Sequence, residues 1–311
     1  MHQTSGRWKL GLLLSLTTAV FWGMLPIALK GVLVAIDAVT ITWYRFIVSL
    51  LVVAFVLYRR NRLPDFAWIK TPKTLLLFVI VILGLSSNYV LYLLGLDLVT
   101  ASAAQIVIQI APMLLLLGGL LIFKEKFSLL QWIGVLVFVI GLVLFFNHRI
   151  DDILTSATDS GDSRYGWGLL LIVMAAITWA AYALAQKQLL MKYGSQQVMF
   201  IAYIAASVLF LPGAQILSVI ALTFTQWGLL IFCCLNTLVA YGCFAEALDH
   251  WEASRVGAVL AITPLLTIIF AYLTNQLFPQ YIAIESLNWI SLTGAGILIV
   301  GSLTAALAKK R

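Results

Sequence analysis

Ten stretches of this chain run for about twenty residues each without losing their apolar character. They cover roughly 10–30, 40–58, 74–96, 101–123, 128–147, 166–187, 197–220, 226–247, 253–274 and 287–308. Each is long enough to cross the hydrocarbon core of a bilayer as a helix. None alternates apolar and polar residues as the strands of a membrane barrel do, so a closed barrel is excluded. Helices are then the spanning form that satisfies every backbone group inside lipid. A soluble fold is excluded as well. Hydrophobic residues make up 63% and charged residues 10% of the 311, against roughly 45–50% and 25% in soluble domains. The first run is too long for a signal-peptide core and lacks a small-residue cleavage site, so it is expected to remain as a helix.

Orientation follows from Lys and Arg. The net charge of +7 would suggest nucleic acid in a soluble chain, but here the basic residues occupy short loops. With the N-terminus inside, fifteen of the nineteen Lys and Arg fall on cytoplasmic segments, among them Arg59, Arg60, Arg62, Lys124 and Lys126. Lys30, Arg149 and Arg164 fall outside, and Arg45 lies within a span. That bias places both termini in the cytoplasm, as in a multi-pass protein of a bacterial inner membrane. Nucleic acid is not an expected partner. Cys233, Cys234 and Cys243 share one apolar run and read as packing residues, with no metal-ligand spacing. His2, His148 and His250 lie in the tail or loops, leaving no histidine as a proton relay inside the membrane.

The chain repeats itself. Tyr89–Pro112 and Tyr241–Pro264, laid side by side without gaps, agree at eight of 24 positions. Polar matches are among them: Tyr89 with Tyr241, Asp97 with Asp249, Ser102 with Ser254. The pairing ends on Pro112 with Pro264. A second echo aligns Thr18–Lys30 with Ala175–Lys187, pairing Trp22 with Trp179 and Lys30 with Lys187. A third sets Gly134 and Gly141 against Gly294 and Gly301, though apolar bias alone accounts for that one. The long polar connection, residues 151–163, reads as an outward-facing linker between a first half (1–150) and a second half (164–311). Five spans is an odd number, so the second half enters the membrane from the opposite side. The expected architecture is all-α: ten transmembrane helices in two inverted five-helix repeats, an arrangement found in many secondary transporters.

These features together resemble the drug/metabolite transporter superfamily, and within it the EamA-type exporters. The resemblance rests on Trp22-Gly23 in the first span, Arg45-Phe46 in the second, and the Ala-Ser…Pro pattern opening the fourth and ninth. Glu125 before the fifth span, followed by Gln131, Gly134 and Gly141, adds to it. The likeness covers nearly the whole chain, and the combination carries it, since no single motif is specific. One departure is that the second half has no counterpart of Glu125, reading LTNQLFPQ there. The resemblance implies a central cavity between the halves, alternating access, and amino acids or related metabolites as cargo. It favours a structural or gating role for Arg45.

A substrate path near the midplane needs polar and aromatic groups, and such groups are costly against lipid. Asn88, Tyr89, Gln105, Gln109, Tyr182 and Tyr241 are the expected lining, with Thr263 beside them. Gln105 and Gln109, four residues apart, would share one face of a helix. Gln, Asn and Tyr also serve as helix–helix hydrogen-bond partners. Trp22 and Trp179 lie away from the interfacial belts and read either as aromatic walls or as large packing residues. Pro112 and Pro264 each free a carbonyl and bend a helix, giving hinges or static kinks. Glu246 is the one carboxylate inside an apolar run, so it is the candidate if a side chain carries protons, or else a snorkelling helix-end residue. With no carboxylate in the first span, efflux of cationic drugs is disfavoured.

The expectation is a secondary transporter exporting small metabolites, amino acids or related aromatic or zwitterionic compounds, and not an enzyme. No nucleotide-binding motif is present, and no cofactor or metal is expected. The rival is a membrane-embedded enzyme or flippase acting on a lipid or isoprenoid. The chain is expected as a monomer or homodimer, since the glycines of the fifth and tenth spans suit internal packing or a dimer face.

Overall fold

The structure, a computed structural model, describes residues 7–64, 71–123, 128–149, 164–190, 192–251, 253–278 and 287–308. The expected linker 151–163 and Glu125 lie outside these residues. The described residues form twelve α-helices and no strand. In chain order these are α1 (Trp8–Leu33), α2 (Ala38–Arg59), α3 (Pro72–Leu98), α4 (Ala101–Val107), α5 (Ile110–Phe123) and α6 (Leu129–Phe145). After the linker come α7 (Arg164–Leu189), α8 (Ser195–Phe210), α9 (Phe224–His250), α10 (Ala253–Leu260), α11 (Thr263–Leu277) and α12 (Trp289–Leu307). Among the described residues six segments are long and apolar enough to cross a membrane: Trp8–Leu33, Ala38–Arg59, Pro72–Leu98, Arg164–Leu189, Ser195–Gly213 and Phe224–Phe244. The remaining apolar helices are shorter.

Capping residues set the helix starts. Asp37 accepts from the Val39 and Thr40 amides at 2.9 Å and opens α2. Thr71 followed by Pro72 opens α3. Ser128 with Gln131, and Thr223 with Gln226, form reciprocal capping boxes at α6 and α9. Each cap satisfies amides that have no partner inside the helix.

Three expected spans come out differently. The fourth and ninth are each broken in two, after Val107 and after Leu260. The physical cause is proline: Pro112 and Pro264 have no amide hydrogen, and their rings crowd the carbonyls of Ile108 and Leu260. The freed groups find local partners. Ala111 N donates to Ile108 O at 2.9 Å, and the Thr263 hydroxyl donates to Leu260 O at 2.6 Å. The seventh span is shorter than expected. Pro212 and Gly213 end α8, and the chain continues in short 3-10 turns through Ala221.

Packing pairs the two halves. α6 lies along α12, α3 along α7, α1 along α9, and α2 along α8. In the α6–α12 pair the backbones themselves touch. A methyl group added at Gly141 would lie 2.8 Å from Gly294 O, and one at Gly294 would lie 2.9 Å from Gly141 O. Gly134 and Gly301 repeat the arrangement two turns away. The glycines therefore serve internal packing. Asn147 and Asn288 latch one end of this pair, with Asn288 Nδ2 donating to Asn147 Oδ1 at 2.9 Å. The outer faces carry large apolar side chains such as Leu51, Phe55, Leu136, Val143 and Ile269. A surface of that kind is stable against lipid and not against water.

Overpacking a sealed interface costs about 1–3 kcal/mol, and more where backbone must move. Gly141→Val should accordingly lower stability by about 3 kcal/mol, read as the midpoint of thermal unfolding in detergent. Gly296 faces open space, so Gly296→Ala should leave the midpoint unchanged or slightly raised. Equal effects from the two substitutions would overturn the packing account.

Candidate functional site

The site is organised around a charge. The Asp37 cap starts α2 at Ala38, which carries Arg45 about two turns into the helix. There it is 3% exposed. Its Nε donates to Thr237 Oγ1 at 3.2 Å, near the middle of α9. Its guanidinium lies 4.4 Å from the centre of the Tyr89 ring on α3, a contact that contributes up to about 2 kcal/mol when desolvated. Tyr89 packs in turn on Phe46 at 4.6 Å between ring centres, and Phe46 lies 5.9 Å from Tyr203 of α8.

Aromatic pairs flank this centre. Trp22 of α1 meets Tyr241 of α9 edge-on, ring centres 5.3 Å apart, and Phe244 at 5.7 Å. Trp179 and Tyr182 of α7 make a similar edge contact at 6.5 Å, and the Tyr182 hydroxyl points to Met199 Sδ at 3.4 Å. Each tryptophan of the matched pair thus keeps a tyrosine as neighbour. The break after Val107 removes Gln105 and Gln109 from a common helix face and leaves Gln109 in the break itself. Gln105 accepts a long hydrogen bond from the Tyr92 hydroxyl at 3.5 Å. Gln109 is 9% exposed; its backbone amide donates to Ile106 O at 3.2 Å, and its side-chain amide has no hydrogen-bond partner among the described residues.

Other expected residues are occupied elsewhere. Asn88 donates to Ala175 O at 2.9 Å and ties α3 to α7. Asn236 does the same for α9 and α1, donating to Phe21 O at 2.6 Å. Thr263 is spent on the helix break beside Pro264. Glu246 is exposed near the end of α9 and pairs with His250 at 3.3 Å, one turn on. That is the position of a helix-end carboxylate. Lys30 reaches the Asp97 carbonyl at 3.4 Å, joining the ends of α1 and α3. Among the described residues no three His, Cys, Asp or Glu side chains come together as a metal site requires.

Thr237, Tyr203 and Phe244 were not singled out from the sequence. Tyr203 has no echo in the first half to mark it. A cation two turns inside an apolar run was the available signal.

An all-helical chain with apolar outer faces and a buried polar and aromatic cluster between its halves is a multi-pass membrane protein. The family model described as "EamA-like transporter family" matches it twice, over residues 9–147 and 166–307. The chain belongs to the EamA-like transporter family and is a membrane transporter. It is similar to an "Uncharacterized transporter" of Haemophilus influenzae, 39% identical over 301 residues, covering 97% of this chain and 96% of the relative. It is 36% identical over 310 residues to the Escherichia coli K12 "Uncharacterized inner membrane transporter YhbE", covering 100% of this chain and 94% of that one. A solved structure described only as the crystal structure of a protein has the same fold. Its TM-score is 0.63 at 17% identity, over 96% of this chain and 98% of that one.

The Arg45–Tyr89 contact generates a direct prediction. Tyr89→Phe keeps the ring beneath the guanidinium, whereas Tyr89→Leu removes it. The leucine variant should lose about 2 kcal/mol more than the phenylalanine variant, measured by thermal unfolding in detergent. Equal losses would mean that the ring face does not hold Arg45.

Proposed function

We propose that this protein is a secondary transporter that exports small metabolites across the bacterial inner membrane by alternating access. Amino acids or related aromatic or zwitterionic compounds are the cargo. Ten spans, in two inverted five-helix repeats over 1–150 and 164–311, surround the path, and both termini are cytoplasmic. The fourth span is α4 with α5, and the ninth is α10 with α11.

The observation that carries this reading is the exchange symmetry of the packing. Replacing each of the first five spans by its counterpart in the second half turns the α3–α7 pair into the α9–α1 pair. The same exchange leaves α2–α8 and α6–α12 as pairs. The broken helices, α4–α5 and α10–α11, also change places. The two matches of the family model and the fifteen-to-three bias of Lys and Arg support the same arrangement. Trp22, Tyr89, Gln105, Gln109, Trp179, Tyr182 and Tyr241 line the path in this reading. Asn88 and Thr263 hold its walls, and Pro112, Pro264 and Arg45 set its hinges and centre. The name of the E. coli relative, an inner membrane transporter, supports the inner membrane. The glycine faces are used within the chain, which suits a monomer.

Flux into proteoliposomes tests the proposal. Radiolabelled amino acids and nucleosides are offered with and without an imposed proton gradient. The expected result is saturable, stereoselective uptake. Gln109→Ala should raise KM by roughly three- to tenfold, the value of one hydrogen bond. Absence of flux for every cargo under every gradient would sink the metabolite reading and leave a lipid substrate as the next to test. Glu246→Gln decides the coupling question separately. Loss of gradient dependence would assign the proton to Glu246, and an unchanged dependence would remove that residue from the mechanism.

A further inference from the structure

Arg45 poses a problem of charge balance. A guanidinium carries five N–H donors and cannot be deprotonated in a protein. One of its donors, on Nε, is used by Thr237. Among the described residues the terminal nitrogens make no hydrogen bond and no carboxylate pairs with them. The side chain is 3% exposed and about two turns from the start of α2, so it does not snorkel into water.

The chain offers little to balance that charge. Of its 12 Asp and Glu, Glu246 alone falls inside an apolar run. It is exposed and engaged with His250. The Tyr89 ring face offsets part of the cost but accepts no hydrogen bond from the guanidinium edge. An unpaired ion held out of water is strongly unfavourable. A structure that keeps one has a use for the anion it lacks.

The surroundings are suited to such an anion. Tyr241 offers a hydroxyl that meets no other group among the described residues, and its ring lies edge-on to Trp22. Thr42, three residues before Arg45 and so on the same face of α2, buries an Oγ1 that has no partner. Beside Tyr241, Trp22 and Phe244 supply an apolar wall.

The geometry points to Arg45 as the recognition site for a carboxylate on the transported molecule, with its terminal nitrogens meeting both oxygens and Trp22 and Tyr241 facing its apolar body. This rests on reading the aromatic cluster as the substrate path. A single cation matches a monoanion. A phosphate dianion would be left half neutralised: Lys30 is at the end of α1, on the Asp97 carbonyl, and Lys187 is in the last turn of α7. The fork of the guanidinium fits a planar carboxylate in two parallel hydrogen bonds, which a lysine cannot reproduce. The buried cation also opposes cationic cargo.

The test uses three probes that share a phenyl ring: phenylacetate, phenylacetamide and phenyl phosphate. Each is titrated into the full-length protein in detergent, with binding read by tryptophan fluorescence and by the shift in unfolding temperature. Phenylacetate should bind roughly ten- to a hundredfold more tightly than phenylacetamide, the range of a charge-assisted hydrogen bond, and more tightly than phenyl phosphate. Arg45→Gln should erase the preference for the carboxylate, and Arg45→Lys should keep only part of it. Should Arg45→Gln not fold, the comparison of probes on the unmodified protein still decides. Tyr241→Phe, which removes one hydroxyl, should then weaken phenylacetate and spare phenylacetamide.

Equal affinity for phenylacetate and phenylacetamide, no binding of phenylacetate, or a preference that survives Arg45→Gln would each overturn the inference. Tighter binding of phenyl phosphate would overturn the choice of carboxylate. The transport reading fails separately. Carboxylate-selective binding without flux leaves the site and sinks the transporter mechanism. Flux of neutral or cationic cargo without carboxylate preference does the reverse.

Discussion

Everything in this fold depends on a single constraint: inside hydrocarbon, a backbone amide or carbonyl must find its partner within the protein. Helices meet it over most of the chain. Where helices stop inside the bundle, the freed groups are met locally, as Thr263 meets Leu260 O and Ala111 meets Ile108 O. The same constraint explains the few polar side chains between helices. Asn88, Asn236 and Thr267 each donate to a carbonyl on a neighbouring helix and so fix which helices lie together. Hydrophobic burial cannot make that choice, because lipid is as apolar as the side chains themselves.

Against this background the buried cluster is conspicuous for what it leaves unsatisfied. Gln109 has a side-chain amide without a partner, and Arg45 has a charge without a counter-ion, among the described residues. Arg45 is held by neighbours that are themselves well fixed. Asp37 anchors the helix that carries Arg45, and the Tyr89 ring it lies on is packed against Phe46. A rigid frame around unmet hydrogen-bonding groups is what a binding site requires.

The sequence exposed much of this. Lengths of apolar runs located most of the helices to within a few residues, because the hydrocarbon thickness sets that length, but not the end of the seventh span or the breaks in the fourth and ninth. The paired Pro112 and Pro264 marked the two breaks, and the paired Trp22 and Trp179 marked two elements of the cluster. Other features were hidden for physical reasons. Proline showed that the helix bends, but the position of the break depended on which nearby group took the carbonyl. The Gln105–Gln109 spacing assumed a continuous helix and lost its meaning at that break. Arg45 could be located but not its role, since a lone arginine in an apolar run is equally compatible with snorkelling, pairing or binding. Tyr203 was invisible because one aromatic in an apolar helix carries no signal until its neighbours are known.

The glycine contact between α6 and α12 also bears on how the protein is made. Helices α7 to α11 are synthesised between the two partners, so α6 is inserted long before its groove can be filled. Until then the glycine stripe lacks the helix whose backbone it closely meets. The first half therefore reaches the bilayer with one face unfinished, and the arrival of α12 is the step that completes it.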